Sequence, residues 1–527
     1  MSRWIVLVAC GCGVTPATAP PATPPPAADI VPADPAPPPR SWRPATSAPF
    51  PAAAPLLLTD GTVMVQELDT ENWWQLTPDA FGHYDHGTWS RLASMQAGYS
   101  PLYTASAVLP DGRVIIEGGE YIAGNDAWST EGSLYDPVAN TWTPVHPPPG
   151  WSMIGDASGL VLANGTFMLS DCCDPGAPLS LFVQPSLAWT PTGAGKQDIH
   201  DEESWVMLWD GKVLTVDTNN ANDLTAAELY DPATGQWGPA GHTPVQIADF
   251  TPGDPNSSHE VGPNILRMDG TVLAIGGNGH NATYDPATTT WASAPDFPVV
   301  PEGQLDTADG PAAVLPNGNV LVATSPGVFN PPTHFFEYDG QTFTEVAAPP
   351  DAPLNTTYQQ MMVVLPTGEI LMTDFSSDVE LYTPAPGTVD TAVPVITEAP
   401  TLVVAARGTS QDPHPITQAS DGVTPVANLF LGETYKLAAL RMNGVTQGAY
   451  YGDDDQSYTN YPLVRLTYKD TGHVVYCRTH AHSTRAIGPD KHGTTQFDVP
   501  LTGERGLADL EVVANGIASP SVLVNVK

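Results

Sequence analysis

Acidic side chains recur at one kind of position in this chain, eight to twelve residues ahead of a glycine that itself follows Asp, Asn or Thr. Asp156 is the first. The run His200-Asp201-Glu202-Glu203, the pair His259-Glu260, Asp306, Asp309 and the polar pair Tyr358-Gln359 are the others. If each glycine turns a hairpin, these residues head the strands that enter it, and seven Asp or Glu converge on one mouth. Crowded carboxylates raise one another's pKa values or call for a cation. Three uses fit such a mouth. It can be a solvated rim of hydrogen-bonded acids. It can bind a sugar, polyol or peptide, with carboxylates accepting hydrogen bonds from hydroxyls and Trp205 or Trp151 nearby. It can hold a metal, either calcium on carboxylates or a transition metal on His200, His259 and histidines of the C-terminal part. Glu202 and Glu260 as a hydrolytic acid and base would need a separation that sequence does not give.

The elements that position these residues repeat. Seven segments read as apolar strand, tight turn, apolar strand, with turn glycines at Gly61, Gly112, Gly165, Gly211, Gly270, Gly318 and Gly368. They stand about fifty residues apart, the size of a propeller blade. The turn dipeptides Asp-Gly and Asn-Gly suit a hairpin in which both residues take positive φ. Most hairpins are followed by a Tyr and, a few residues on, a Trp: Tyr135 and Trp142, Tyr230 and Trp237, Tyr284 and Trp291. These aromatics read as filling between neighbouring blades. The seventh repeat lacks that last strand. The segment SWRPATSAPF at 41–50 has its character, so it is expected to pair with the last blade and close the ring.

From about residue 388 the repeat stops, and short alternating strands predict an immunoglobulin-like sandwich over 388–527. At the other end, residues 1–13 read as a signal segment in which Leu7-Val8-Ala9-Cys10 resembles a bacterial lipobox, with Cys10 lipidated. Residues 14–40 are a Pro/Ala-rich spacer, and 41–387 is the propeller. No other segment approaches the length of a membrane helix, so membrane contact is expected only through a lipid on Cys10. A net charge of −39 argues against nucleic acid as a partner. The remaining cysteines carry no zinc spacing, and adjacent cysteines such as Cys172 and Cys173 rarely bond each other. Asp453-Asp454-Asp455 reads as a solvated loop, because it lacks the ligand spacing of an EF-hand.

Kelch-type repeats ending in such a sandwich resemble the galactose oxidase family of copper radical oxidases, over roughly residues 45–527. The resemblance implies a copper on the propeller axis, held by a Tyr cross-linked to Cys, a Tyr followed by His, and a His from a sandwich loop that reaches into the propeller. YTASAVLPDG places the first at Tyr103, but no Cys stands near Ala52, where its partner belongs. YQQMMVVLPTG places the second at Tyr358, followed by Gln359 rather than His. THAHST resembles the sandwich loop, with His480 as ligand and His482 as a substitute. The copper set implied by the resemblance is therefore degenerate.

The expectation is an all-β protein, a seven-bladed kelch-type β-propeller followed by an immunoglobulin-like early-set sandwich. It is a monomer, secreted or held at the bacterial cell envelope. It binds extracellular carbohydrate or protein through Asp156, His200, Asp201, Glu202, His259, Glu260, Asp309 and Gln359, without radical-copper catalysis. The alternatives are an alcohol or aldehyde oxidase with a remodelled site at Tyr103, Tyr358, His480 and His482, or a structural adhesion module. Copper and calcium are the candidate cofactors.

Overall fold

The computed structural model describes residues 38–174, 176, 179–183, 186–327, 329–403, 417–418 and 425–527. The expected leader with Cys10 and the spacer up to residue 37 lie outside the described residues.

Apolar alternation and turn chemistry build seven successive four-stranded antiparallel meanders. Their innermost strands are Ala52–Leu57, Ala105–Val108, Gly159–Val161, Val206–Met207, Val261–Leu266, Ala312–Val314 and Met361–Val364. These strands are buried throughout, so neighbouring meanders must cover each other's faces. The inner strand of the second lies against that of the third, the fifth against the fourth and sixth, and the seventh against the sixth and the first. The arrangement is that of a β-propeller, a fold whose radial repetition leaves only short, protected sheet edges.

The turns differ from the expectation of two residues at positive φ. Only the glycines take it, from 78° at Gly61 to 90° at Gly318. The residue before each glycine instead uses its side-chain oxygen. Asp60, Asp111, Asn164, Asp210, Asp269 and Asn317 each accept a hydrogen bond from the amide two residues on, and the Thr367 hydroxyl does the same for Glu369. That side-chain turn holds the preceding residue, and the glycine then supplies the left-handed step that returns the chain.

In the second, fourth and fifth meanders the Tyr and Trp sit directly opposite in register: Tyr135 with Trp142, Tyr230 with Trp237 and Tyr284 with Trp291. The Trp indole also reaches back to the preceding meander: Trp142 to the Ala93 carbonyl at 2.9 Å, Trp189 to His146 at 2.7 Å, Trp291 to Ala240 at 2.9 Å. The strand Ser41–Pro44 pairs with Glu380–Thr383 and supplies the fourth strand of the seventh meander. Its Trp42 makes the same reach, 2.8 Å to the Ala347 carbonyl, and packs on Phe335 and Tyr382. Trp42→Ala is therefore expected to cost roughly 2–4 kcal/mol in urea unfolding. A loss below about 1 kcal/mol, the level of an ordinary surface substitution, would mean that the closing strand does not hold the ring.

The C-terminal strands form a second core. The strand Val474–His480 changes partners midway, pairing first with Leu463–Tyr468 and then with His492–Asp498. The strands on both sides of it share one apolar cluster that includes Tyr435, Leu437, Leu466, Leu510 and Val512. This part sits under the turn end of the propeller. Tyr476 packs against Gly61, the Gly516 carbonyl against Gly368, and the Trp209 indole donates to the Val445 carbonyl at 2.8 Å. The strand heads are left at the opposite end.

Candidate functional site at the head of the channel

One segment of the C-terminal part leaves its sheet and enters the propeller. Ala449–Tyr450 adds to the inner strand of the sixth meander. The Ser457 hydroxyl donates to the Met362 carbonyl, Ser106 donates to the Gln456 carbonyl, and the hydroxyls of Tyr458 and Tyr461 reach the carbonyls of Trp205 and Leu57. Residues 449–461 therefore plug the channel, held by the first, second, fourth, sixth and seventh meanders. The tip of this plug is Asp453-Asp454-Asp455. Those residues are 2–4% exposed, which corrects their reading as a solvated loop. The hydrophobic and hydrogen-bonding flanks carry them in, where no local pattern announces it.

Above the tip lies a cavity of about 620 Å³. Asp69, Glu120, Asp156, Glu202, Glu260 and Asp309 reach it from the propeller, and Asp453 and Asp454 from the plug. Its aromatic wall is Tyr103, Tyr121, Phe329, Tyr358 and Phe375. Among the described residues, no Lys, Arg or His lines it. Tyr103, Glu202, Asp309 and Phe375 are all in the left-handed region, at φ of 55°, 57°, 50° and 68°. Each such residue costs about 1 kcal/mol, and such residues gather where a side chain must be aimed.

The hydroxyl of Tyr103 donates to the Tyr358 carbonyl at 3.1 Å, and that of Tyr451 lies 2.7 Å from the same carbonyl and beside the Asp309 carboxyl. Asp455 is tied down by Thr104, whose carbonyl takes its amide hydrogen at 2.7 Å. Asp453 Oδ2, Asp454 Oδ1 and Asp156 Oδ1 are buried with no hydrogen-bond partner. Burial, then mutual repulsion, pushes Asp156 up to about 7 and Glu202, Glu260, Asp309, Asp453 and Asp454 well above the carboxylate range. Glu202 and Glu260 are hydrogen-bonded to each other, so one of them holds a proton. That contact is far closer than the ~5 Å or more between the two carboxyls of a glycosidase.

Several residues expected at the mouth stand elsewhere. His200 is fully buried, with Nδ1 3.2 Å from Glu203 Oε2 and its ring against Trp205. Trp205 is itself core, 1% exposed, so it offers no face to a ligand. Gln359 turns back to accept the Thr356 amide at 3.1 Å, closing a short helical turn. Asp201 is held by Asn219, and His259 contacts Asn219 and stacks on Phe250; both flank the cavity without lining it. Cys172 and Cys173 are disulfide-bonded, contrary to expectation. Asp171 accepts the amides of Cys173 and Asp174, folding the loop so that the two sulfurs meet.

The copper set implied by the resemblance does not fit this cavity. Tyr103 and Tyr358 do line it. His480 faces Asp498 at 3.1 Å, and the His482 amide donates to the Pro110 carbonyl at the turn end of the second meander. The loop that reaches into the propeller is 449–461, not Thr479–Thr484, and it brings aspartates instead of imidazole. An all-oxygen donor set of this kind suits hard cations rather than Cu(II). Asp69, Glu120, Tyr121, Phe329 and Phe375 were not anticipated. Glu120 directly follows the Gly118-Gly119 pair that ends its hairpin, which is a signal the sequence does carry.

No known family profile matches the chain, and no curated protein matches it. Among solved structures, it is similar to a novel fungal alcohol oxidase of the AA5 family in complex with copper, at 12% identity and a TM-score of 0.48, over 92% of this chain and 99% of that one. It is also similar to YCF48 bound to D1 peptide, at 13% identity and 0.42, over 66% and 97%, and to YjhT, at 13% and 0.39, over 57% and 99%.

Proposed function

We propose that this chain is a binding propeller of the cell exterior whose head cavity takes an extracellular ligand by a protonated amine, as on an amino sugar or a lysine-bearing peptide. One observation carries the reading: among the described residues, eight carboxyl side chains line the cavity and no basic side chain does. A volume of 620 Å³ lies within the range of small-ligand sites. The aromatic wall adds faces on which an ammonium group is stabilised. A ligand cation would take the proton's place between Glu202 and Glu260 and satisfy the unpartnered oxygens of Asp453 and Asp454.

A second reading has its own support. One oxygen each from Asp309, Asp453 and Asp454 lies within 4.8 Å of the others, as in a hard-metal site. A calcium ion there would present two or more open positions to sugar hydroxyls.

Calorimetric titration of the full chain separates the two. Glucosamine oligomers should bind in chelator, and fully N-acetylated oligomers should not. Glu260→Gln and Asp453→Asn should each weaken binding at least ~10-fold, the equivalent of one lost ion pair. Binding of neutral sugars only in calcium would favour the metal instead. Binding of neither would leave an adhesion module.

A further inference from the structure

A second group of carboxylates lies away from the cavity, on the seam where the ring closes. Asp351 directly precedes the short helical turn Ala352–Leu354 that leads from the sixth meander to the seventh, without capping it through its side chain. Asp374 follows the strand Ile370–Thr373, and Glu380 opens the strand Glu380–Thr383. One oxygen from each of the three lies within 4.8 Å of the others. Asp374 is 3% and Glu380 2% exposed.

No donor reaches either oxygen of Glu380, nor Asp351 Oδ1. Their nearest polar neighbours are carboxyls, since Asp351 faces both Glu380 and Asp374. Such contacts are satisfied only by a shared proton or by a cation. The remaining oxygens are already placed: the Asn355 amide donates to Asp374 Oδ2 at 2.7 Å and to Asp351 Oδ2 at 3.3 Å, and the Ser376 amide to Asp374 Oδ1 at 3.0 Å. That leaves Glu380 open on both oxygens. The charges acting most strongly on it are all acidic, from Asp351, Asp374 and Asp378, and with burial they lift it to about 9.

We infer that Asp351, Asp374 and Glu380 form a calcium site that fastens the closure of the propeller. Oxygen-only donors, with one carboxylate open to both sides, match calcium better than the tight octahedron of magnesium. The position gives the ion its role. Residues 374–380 are gripped from one side by the returning N-terminal segment, whose Ala48 and Ala52 amides donate to the Ser377 and Ser376 carbonyls at 2.9 and 2.7 Å. From the other side Asp351 approaches on the connection out of the sixth meander. A cation between them ties the sixth meander, the seventh and the closing strand at one point. None of the three carboxyls lines the head cavity.

The test is thermal unfolding of the full chain in chelator and in millimolar calcium, for the natural sequence, Glu380→Gln and Asp453→Asn. Calcium should raise Tm by roughly 5 °C in the natural chain and in Asp453→Asn, and not in Glu380→Gln. In chelator, Glu380→Gln should be as stable as the natural chain or more so, because it removes repulsion. If Glu380→Gln does not fold, Asp351→Asn on the half-exposed connection should likewise lose the calcium response. The inference is overturned if calcium leaves the natural Tm unchanged. It is equally overturned if the shift survives Glu380→Gln or Asp351→Asn, and a shift lost only in Asp453→Asn would move the ion to the cavity.

Discussion

Replacing Lys196 with methionine is expected to remove about 3–5 kcal/mol of stability, because it leaves buried carboxylates without the ammonium they share. The Lys196 ammonium is 2.7 Å from both Glu203 and Glu228, 3.4 Å from Asp217, and paired with Asp198. The lysine side chain is 2% exposed, and its ammonium sits over the Trp237 ring. Even with the lysine in place, burial and mutual repulsion lift Asp198 to about 7 and Glu203 to about 8. Methionine keeps the volume and removes the charge, so the loss is electrostatic. It should therefore be smaller at pH 5, where Asp198 and Glu203 hold protons, than at pH 8. Urea unfolding at the two pH values measures it. A loss below about 1 kcal/mol at pH 8, within the range of an exposed pair, would show that the four acids are not ionised together.

Affinity for a lysine-type amine, which stays protonated throughout, should rise with pH at the head cavity, roughly tenfold between pH 6 and pH 8 for one proton displaced from a group near 7 such as Asp156. The sign follows from the direction of the shifts. An ordinary carboxyl has a pKa near 4. Asp156 is raised to about 7, and Glu202, Glu260, Asp309, Asp453 and Asp454 lie well above the usual value. Below its folded pKa such a group keeps its proton and offers no charge to a ligand. As pH rises through about 7 Asp156 ionises and the cation becomes its counter-charge. The same shifts make the empty fold lose stability over that range, since the folded state binds more protons than the unfolded one. Titrations at pH 6, 7 and 8, in two buffers of different ionisation enthalpy, give both the affinity and the proton count. A flat profile without proton release would mean that the carboxyls are ionised before the ligand arrives, and the amine reading would fall.

The repeat was legible because its signals are local. A side-chain oxygen followed by glycine turns the chain within four residues, and alternation sets which face of a strand is buried. The Tyr and Trp partners are set by the same register, and so was the closing strand, since SWRP carries the Trp that most outer strands carry. Even there one detail escaped. Asp60 and its counterparts keep negative φ because their side-chain oxygens already stabilise the turn.

The site divides along the same line. Sequence by itself determined the propeller, the end of it that carries the strand heads, and the acidic character of that end. It also named Asp156, Glu202, Glu260 and Asp309, because a residue heading an inner strand has nowhere else to point. Tertiary structure alone decided the rest. Whether a residue next to a strand head faces the axis or its own sheet is a matter of one rotation, and His200, Glu203 and Gln359 turned away to partners a few residues off. The plug is longer in range still. Asp453 and Asp454 meet Asp309 from about 145 residues farther along the chain, carried there by hydrogen bonds to five meanders. A cavity assembled from residues between Asp69 and Asp454 has no period. Its charge is the sum of groups that neighbour one another only after the ring has closed and the plug has entered.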